Sequence, residues 1–389
     1  MNQDRENFDL GLRQLIRENL RASLEGEFSA HEDYPFFRTR AVYDMFTEVD
    51  GLPLFPCEIP EVFLNWAGLD PGTAWQKEDF LVLDLETTGL GRGQTIAFMI
   101  GLGYFENGQY VVEQVFLPEP EAETNSFDRL IEILEQKAVL ITFNGKTFDV
   151  PILESRLLYN HVWLDLRAKE HIDLLHLARR LWKNKIPSCA LETIEFYILG
   201  NIREKELDIE GGLIPQTYFQ YLISGETDLL KRVFIHNQFD LLHTVALFTL
   251  ICNSIGYPPA EGFDQRIDYH ALAKLYLSQG HRETARAILT DLLAQEVVSA
   301  DIACDLGLLC KQDKELAEAE NCFSIAAGLA HPVGTLEYCK VLEKSGNLPL
   351  ALEYARKLLD WQLSRPLIDG KKVLDLEKRI ARLHRKLGL

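Results

Sequence analysis

Apolar and polar positions follow three different rhythms along this chain of 389 residues. Over residues 1–28, Phe8, Leu10, Leu12, Leu15, Ile16, Leu20 and Leu24 recur among charges, which predicts an amphipathic helix. Residues 29–76 hold several prolines and aromatics without a period and predict an irregular lead-in. From Glu78 the rhythm changes to short apolar runs bounded by turn residues. Phe80–Leu85 is nearly all apolar, is too short for a helix and stops at Thr87-Thr88-Gly89, which predicts a fully buried strand. Thr95–Phe105 and Tyr110–Leu117 are strand-like too, and Asn107-Gly108 between them is a strong hairpin signal. Residues 80–117 are therefore expected as a three-stranded antiparallel meander. Residues 124–137 predict a helix, Ala138–Phe143 a fourth buried strand, and a helix follows from about Thr147. Further helices are expected over 173–184, 189–199 and 229–254.

Beyond residue 257 the strand signals vanish. Ala285, Ala319 and Ala351 recur at spacings of 34 and 32 residues. Leu272-Ala273 and Tyr276 precede the first of these at the same offsets as Leu306-Gly307 and Cys310 precede the second, and Tyr338-Cys339 holds that register in a degenerate third copy. A helix-pair period near 34 is that of tetratricopeptide-type repeats; the other reading is an ordinary helical bundle. The expected layout is a lead-in over 1–76, a mixed α/β domain over 77–255 and a helical repeat domain over 256–389.

Composition narrows the class. A hydrophobic share of 47% and a charged share of 25% are those of a globular protein, and no stretch approaches the ~18 consecutive apolar residues of a membrane helix. The start, Met1-Asn-Gln-Asp-Arg-Glu, lacks the basic-then-apolar order of a signal peptide, and seven cysteines without a CxxC pair suit reduced thiols, so a cytoplasmic location is expected. The net charge of −19 is uneven: −8 over 1–76, −10 over 77–255 and −1 over 256–389. A protein that coats nucleic acid is normally basic, so any polyanion must be met through metal ions or local basic strips.

The candidate chemistry is acidic. Asp84 and Glu86 lie two apart and so project from one face of the first strand. Adjacent carboxylates in a core repel and lose hydration unless a cation sits between them; the other reading is a solvated strand end. Asp149 falls in the first turn of the helix after Asn144-Gly145, where a carboxylate also suits the helix dipole. Asp240 lies among Leu241, Leu242, Val245 and Leu247 on a helix, an inward position that acids seldom take. Asp173, just before a helix, fits an N-cap, and His171 and His176 are five apart, a poor spacing for one helical face. Trp182 sits among Arg179, Arg180, Lys183 and Lys185, which suits either phosphate contact with base stacking or a solvated helix face over a buried Trp. Lys371–Lys386 carries seven basic and two acidic residues and fits either nucleic acid or the end of a helix.

Taken in order, Asp84-Leu-Glu86, Asn144-Gly-Lys-Thr-Phe-Asp149 and His236-Asn-Gln-Phe-Asp240 resemble the three motifs of the DEDD exonuclease superfamily. Glu86-Thr-Thr-Gly-Leu90, Phe143–Asp149, His171-x-Asp-Leu-Leu-His176, Arg179-Arg-Leu-Trp182 and His236-Asn237 look more closely like the YprB-type ribonuclease H-like family, over about residues 78–250. The resemblance implies a ribonuclease H-like mixed sheet with flanking helices. It also implies a 3′→5′ exonuclease in which Asp84, Glu86, Asp149 and Asp240 hold two Mg²⁺ or Mn²⁺ ions and hydrolyse DNA or RNA, with a single-stranded end as substrate. That superfamily adds a base, Tyr four residues or His five residues before the last Asp; here His236 stands four before Asp240, a histidine at the tyrosine spacing. His236 is thus a candidate base or water-positioning group, or else a surface or capping residue, and His243 a packing neighbour. The repeats imply a protein partner, and no membrane is expected as one. Rival readings are an inactive nucleic-acid-binding adaptor acting through its repeats, and a structure-specific endonuclease on the same fold.

Overall fold

The computed structural model describes residues 2–89, 95–204, 206–256, 263–295 and 299–389, with side chains from residue 13 onward in the first helix. Of the positions singled out above, Leu90 and the side chains of Phe8, Leu10 and Leu12 lie outside the described residues. The chain divides into two compact units, residues 1–267 and 268–389.

The first unit begins with α1 (Asn2–Ser23), β1 (Gly26–Phe28), β2 (Phe37–Tyr43), a small hairpin of β3 (Glu48–Val49) and β4 (Leu52–Pro53), and α2 (Glu61–Ala67). The meander follows as β5 (Phe80–Thr87), β6 (Ala97–Glu106) and β7 (Gln109–Phe116), then α3 (Glu123–Gln136), β8 (Val139–Thr142) and α4 (Asp149–Tyr159). Next come β9 (Glu170–Asp173), α5 (Leu174–Trp182), α6 (Leu191–Ile194) running into a π-helical turn over Glu195–Leu199, α7 (Ile214–Ser224) and α8 (Asp228–Ile255). Seven strands form one sheet in the order β1-β2-β7-β6-β5-β8-β9. β8 and β9 run parallel to β5 and all other neighbours are antiparallel. The β6–β7 turn puts Asn107 and Gly108 at φ 50° and 79°, the left-handed pair that a two-residue hairpin of this hand needs.

Alternation along β5 decides what the site will contain. Leu81, Leu83 and Leu85 enter a core with Phe127 and Leu130 of α3 and Leu153 and Leu157 of α4. On the opposite face, Phe80 meets Phe248 of α8, which also meets Phe63 of α2. Asp84 and Glu86 share that second face, so β5 aims both carboxylates toward α8. A register shift between Glu86 and Thr87 ends the regular pairing immediately after the second acid.

Two departures from expectation follow from short or half-exposed strands. The irregular lead-in contains β1 and β2, and β2 extends the sheet beyond β7. β2 carries Arg38, Thr39 and Arg40, whose polar groups are answered across the sheet rather than buried, so no apolar run marks it. β9, only four residues long with no apolar run, is a strand the pattern did not announce, and it leads directly into α5, which fills the segment expected as helix.

The second unit is helical: α9 (Tyr269–Ser278), α10 (Arg282–Leu293), α11 (Ala300–Gln312), α12 (Leu316–Gly328), α13 (Pro332–Ser345), α14 (Leu348–Leu363) and α15 (Gly370–Leu387). Ala285, Ala319 and Ala351 are all fully buried, as are Ala273 and Cys339 of the small-residue register. At Gly307 an added Cβ would lie 2.7 Å from the Phe323 ring, so the small residue lets α11 close on α12. The basic C-terminal run is α15, and Arg379, Arg382 and Lys386 all pair with Glu343, which they hold down to about 2. Among the described residues α8 alone is long and apolar enough to cross a membrane, and 72% of that window is buried inside the fold.

Candidate active site

Asp84 is fixed by a chain of hydrogen bonds running across the sheet. It stands opposite Gly101 of β6, Gly101 opposite Gln114 of β7, and Gln114 opposite Thr39 of β2. Thr39 Oγ1 donates to Gln114 Oε1 (2.9 Å); Gln114 Nε2 donates to Asn237 Oδ1 (3.0 Å) and to the Phe234 carbonyl (2.7 Å). Asn237 Nδ2 in turn donates to Asp84 Oδ2 (2.7 Å). A Cβ at position 101 would lie 2.4 Å from Asn237 Oδ1, so only glycine lets α8 approach the sheet closely enough for this contact.

Asp149 reaches β5 from the other side. Its Oδ1 accepts the Leu85 backbone N–H (3.2 Å), between the two strand acids. The turn that carries it is braced by Asp173, whose Oδ1 accepts from Asn144 N (2.8 Å) and Leu175 N (3.1 Å) and whose Oδ2 accepts from Lys146 N (3.0 Å). Asp173 is thus the expected N-cap of α5 and also a buried brace for the Asp149 loop. His171 Nε2 meets Thr142 Oγ1 (2.8 Å), and burial pushes this imidazole down to about 4.

Asp240 and His236 lie one turn apart on α8. His236 Nδ1 is 2.8 Å from Asp208 Oδ1, and its Nε2 is 3.5 Å from Asp240 Oδ2. Asp240 Oδ1 accepts from Arg203 Nη2. Arg203 is itself anchored on Glu195 of the π-helical turn, through Nε to Oε2 (2.7 Å) and Nη2 to Oε1 (2.5 Å). His243 stands behind this pair, its Nδ1 2.9 Å from Glu195 Oε1 and its Nε2 3.5 Å from Asp50 Oδ2.

The electrostatics follow from burial. Desolvation, then the charges of Asp240 and Asp149, push the Asp84 carboxyl well above the ordinary range, against the pull of Asn237 and Arg203. Glu86 is raised well above its usual value by burial and by Asp84, Asp240 and Asp149. Asp149 is raised to about 7, chiefly by burial, partly offset by the backbone N–H groups it accepts. At His236 burial opposes the charge, but the bond to Asp208 and the charge of Asp240 outweigh it and the imidazole is raised. Ligand atoms of Glu86, His236 and Asp240 all lie within 4.8 Å of one another, a spacing at which one cation can be shared.

The four acids named from the sequence and His236 thus converge on one place. The Trp182 segment does not join them. Trp182 is fully buried and donates Nε1–H to the Arg266 carbonyl (2.9 Å), and Lys185 donates to the Gln265 and Ile267 carbonyls, so the base-stacking reading of this segment gives way to a packed indole. Sequence reasoning missed Arg203, Glu195 and Asp208. They stand on a π-turn and an aperiodic loop, where no hydrophobic period marks a direction. Asn237 sat inside a quoted motif, but its bond to Asp84 depends on Gly101, far away in sequence.

Comparison with known proteins places this site within known relatives. A family model described as RNase_H superfamily matches residues 81–252, which contain all four acids. The chain is 33% identical over 352 residues to protein YprB of Bacillus subtilis (strain 168), covering 85% of this chain and 81% of that protein. It is 26% identical over 185 residues to a DNA polymerase of Pyrococcus horikoshii, covering 39% of this chain and 15% of the polymerase.

Proposed function

The chain belongs to the YprB family and carries a domain of the RNase_H superfamily, and on that premise we propose that it is a divalent-metal-dependent nuclease, a 3′→5′ exonuclease acting on single-stranded ends of DNA or RNA. The observation that carries this reading is the convergence of Asp84, Glu86, Asp149 and Asp240, three of them driven toward their protonated forms by burial and by one another. Oxygen donors held this close suit Mg²⁺ or Mn²⁺, whose charge would let them ionise together. Two such ions, once bound, would supply Lewis acidity at the phosphoryl oxygen and a hydroxide at neutral pH. Three of the four acids are held by one oxygen: Asn237 takes Asp84 Oδ2, the Leu85 N–H takes Asp149 Oδ1 and Arg203 takes Asp240 Oδ1, which turns the second oxygen of each toward a ligand, that of Asp240 beside His236 Nε2. With Nδ1–H donated to Asp208 and its charged form favoured by Asp208 and Asp240, His236 presents Nε2 beside Asp240 Oδ2, where it can orient a water or, once neutral, take a proton from it.

The similarity of part of the chain to a DNA polymerase supports nucleic acid as the substrate class. The second unit fits tetratricopeptide-like repeats through its buried Ala285, Ala319 and Ala351 register, and we assign it a protein partner. Seven free cysteines support a cytoplasmic location. A second reading, an inactive nucleic-acid-binding protein, draws on Arg203: its guanidinium already neutralises one oxygen of Asp240.

Two measurements decide between them. Calorimetric titration should give Mn²⁺ binding in the micromolar to millimolar range, weakened strongly by Asp84→Ala or Asp149→Ala. Both variants should abolish Mn²⁺-dependent loss of a 5′-labelled single strand while circular dichroism stays unchanged. Undiminished cleavage by either variant removes the assignment, and cleavage of a closed circle moves it to an endonuclease.

A further inference from the structure

Behind His236 the first unit opens a cleft of about 990 Å³ between the π-helical turn and α7. Its size is at the upper end of the roughly 300–1,000 Å³ of small-ligand pockets, room for more than one base. Phe196 and Tyr197 line it, each 52% exposed, with ring centroids 4.9 Å apart at 77°. Large aromatic rings standing side by side in water need a reason. The backbone turn that carries them is anchored. The neighbouring residue of the same turn, Glu195, is almost fully buried and carries the bidentate Arg203 that holds Asp240. One short segment thus fixes an acid of the site on its inner side and presents two rings to the cleft on its outer side.

Charge says what kind of ligand fits. The cleft wall holds four carboxylates (Glu192, Glu195, Asp208 and Glu210) against two arginines, Arg203 and Arg232. A duplex, gripped by its phosphates, needs a row of cations that this wall lacks. Unpaired bases need ring faces for stacking and neutral donors and acceptors for their edges. Gln216 and Gln220, one turn apart on α7, supply such groups in the lining of the same cleft.

We propose that this cleft is a subsite for the unpaired end of a single-stranded nucleic acid, whose bases stack on Phe196 and Tyr197 while the terminal phosphodiester lies at Asp84, Glu86, Asp149 and Asp240. The inference rests on the nuclease reading above and adds how the strand is chosen. It assigns strand selection to ring stacking, so duplex ends are refused until they fray.

The test uses the full chain carrying Asp84→Asn and Asp149→Asn, which neutralises two acids and stops cleavage, with fluorescence anisotropy of 5′-labelled 12-mers. In this background single strands should bind more tightly than a blunt duplex. Adding Phe196→Ala and Tyr197→Ala should weaken single-strand binding at least about fivefold, the lower end for loss of one stacked base. The slope of affinity against salt should not change, and the ring-preserving pair Phe196→Tyr and Tyr197→Phe should restore binding. Equal affinity of the alanine pair and its background for single strands, or a blunt duplex bound as well as a single strand, overturns the inference. The parent reading fails separately: it falls if the chain with all four acids degrades no strand with Mn²⁺, whereas degradation that is indifferent to the alanine pair removes the subsite alone.

Discussion

Each acid of the site is defined less by its own type than by the single group that holds it. Asp84 depends on Asn237, 153 residues away, and Asp149 on the backbone of Leu85, 64 residues away. The order of the acids was legible because strand alternation and helix starts constrain where a carboxylate points. Their partners were not, because such bonds exist only once α8 has packed on the sheet. The same burial makes a pH prediction. An acid whose folded value is raised takes up protons on folding, so its contribution is favourable at low pH and is lost as pH rises. Asp149, at 3.8 when unperturbed and about 7 in the fold, places that loss between about pH 4 and pH 7, and Asp84 and Glu86 act in the same direction. In EDTA the melting temperature of the first unit should fall across this window, by about 1.4 kcal/mol of stability per pH unit for each proton involved. Asp149→Asn should flatten the fall, and Mn²⁺ should raise the melting temperature most at pH 7 and above. A metal-free protein whose stability rose steadily from pH 4 to pH 7 would show that the acids are not buried together.

Among the elements, those with a strong period were legible and those without were not. The meander of β5, β6 and β7 follows from three apolar runs and an Asn-Gly turn, and α8 from its inward leucines. β2 escaped notice because it is an edge-proximal strand whose Arg38, Thr39 and Arg40 are satisfied by side chains across the sheet. The π-turn over Glu195–Leu199 has no sequence period of its own, yet it carries both the anchor of Arg203 and the two exposed rings. In the second unit the small-residue register has a physical cause that can be tested. Gly307 faces the Phe323 ring and Cys322 Cβ, at 2.7 Å and 3.2 Å from where its own Cβ would stand. Gly307→Val must push α11 away from α12 and should cost about 1–3 kcal/mol in urea unfolding of residues 268–389. Asn321→Ala, at an exposed position of α12, serves as the control and should change stability by less than about 0.5 kcal/mol.

For the whole molecule, the question is where one unit stops. The loss of strand signals and the onset of a helical repeat along the chain put the boundary at 255/256, whereas the compact units divide at 267/268. Residues 263–267, just before that division, have no helix or strand to announce them, yet serve the first unit. Arg266 offers its carbonyl to the buried indole of Trp182, Gln265 and Ile267 offer theirs to Lys185, and Ile267 is itself buried. A fragment ending at residue 255 therefore strands the Nε1–H of a fully buried tryptophan, a loss of about 1–3 kcal/mol. A fragment ending at 267 keeps it. We expect residues 1–267 produced alone to fold, to bind Mn²⁺ and to degrade single strands, because both cores flanking the sheet lie within it. Residues 1–255 should unfold at lower urea concentration by the amount that Trp182 loses, while their affinity for Mn²⁺ is unchanged, since none of the four acids or their partners lies beyond Asp240 except His243. Trp182→Phe, which removes the donor from both fragments, should narrow the gap between them. If the two fragments were equally stable before that substitution, residues 256–267 would be a linker and the sequence-based boundary would stand.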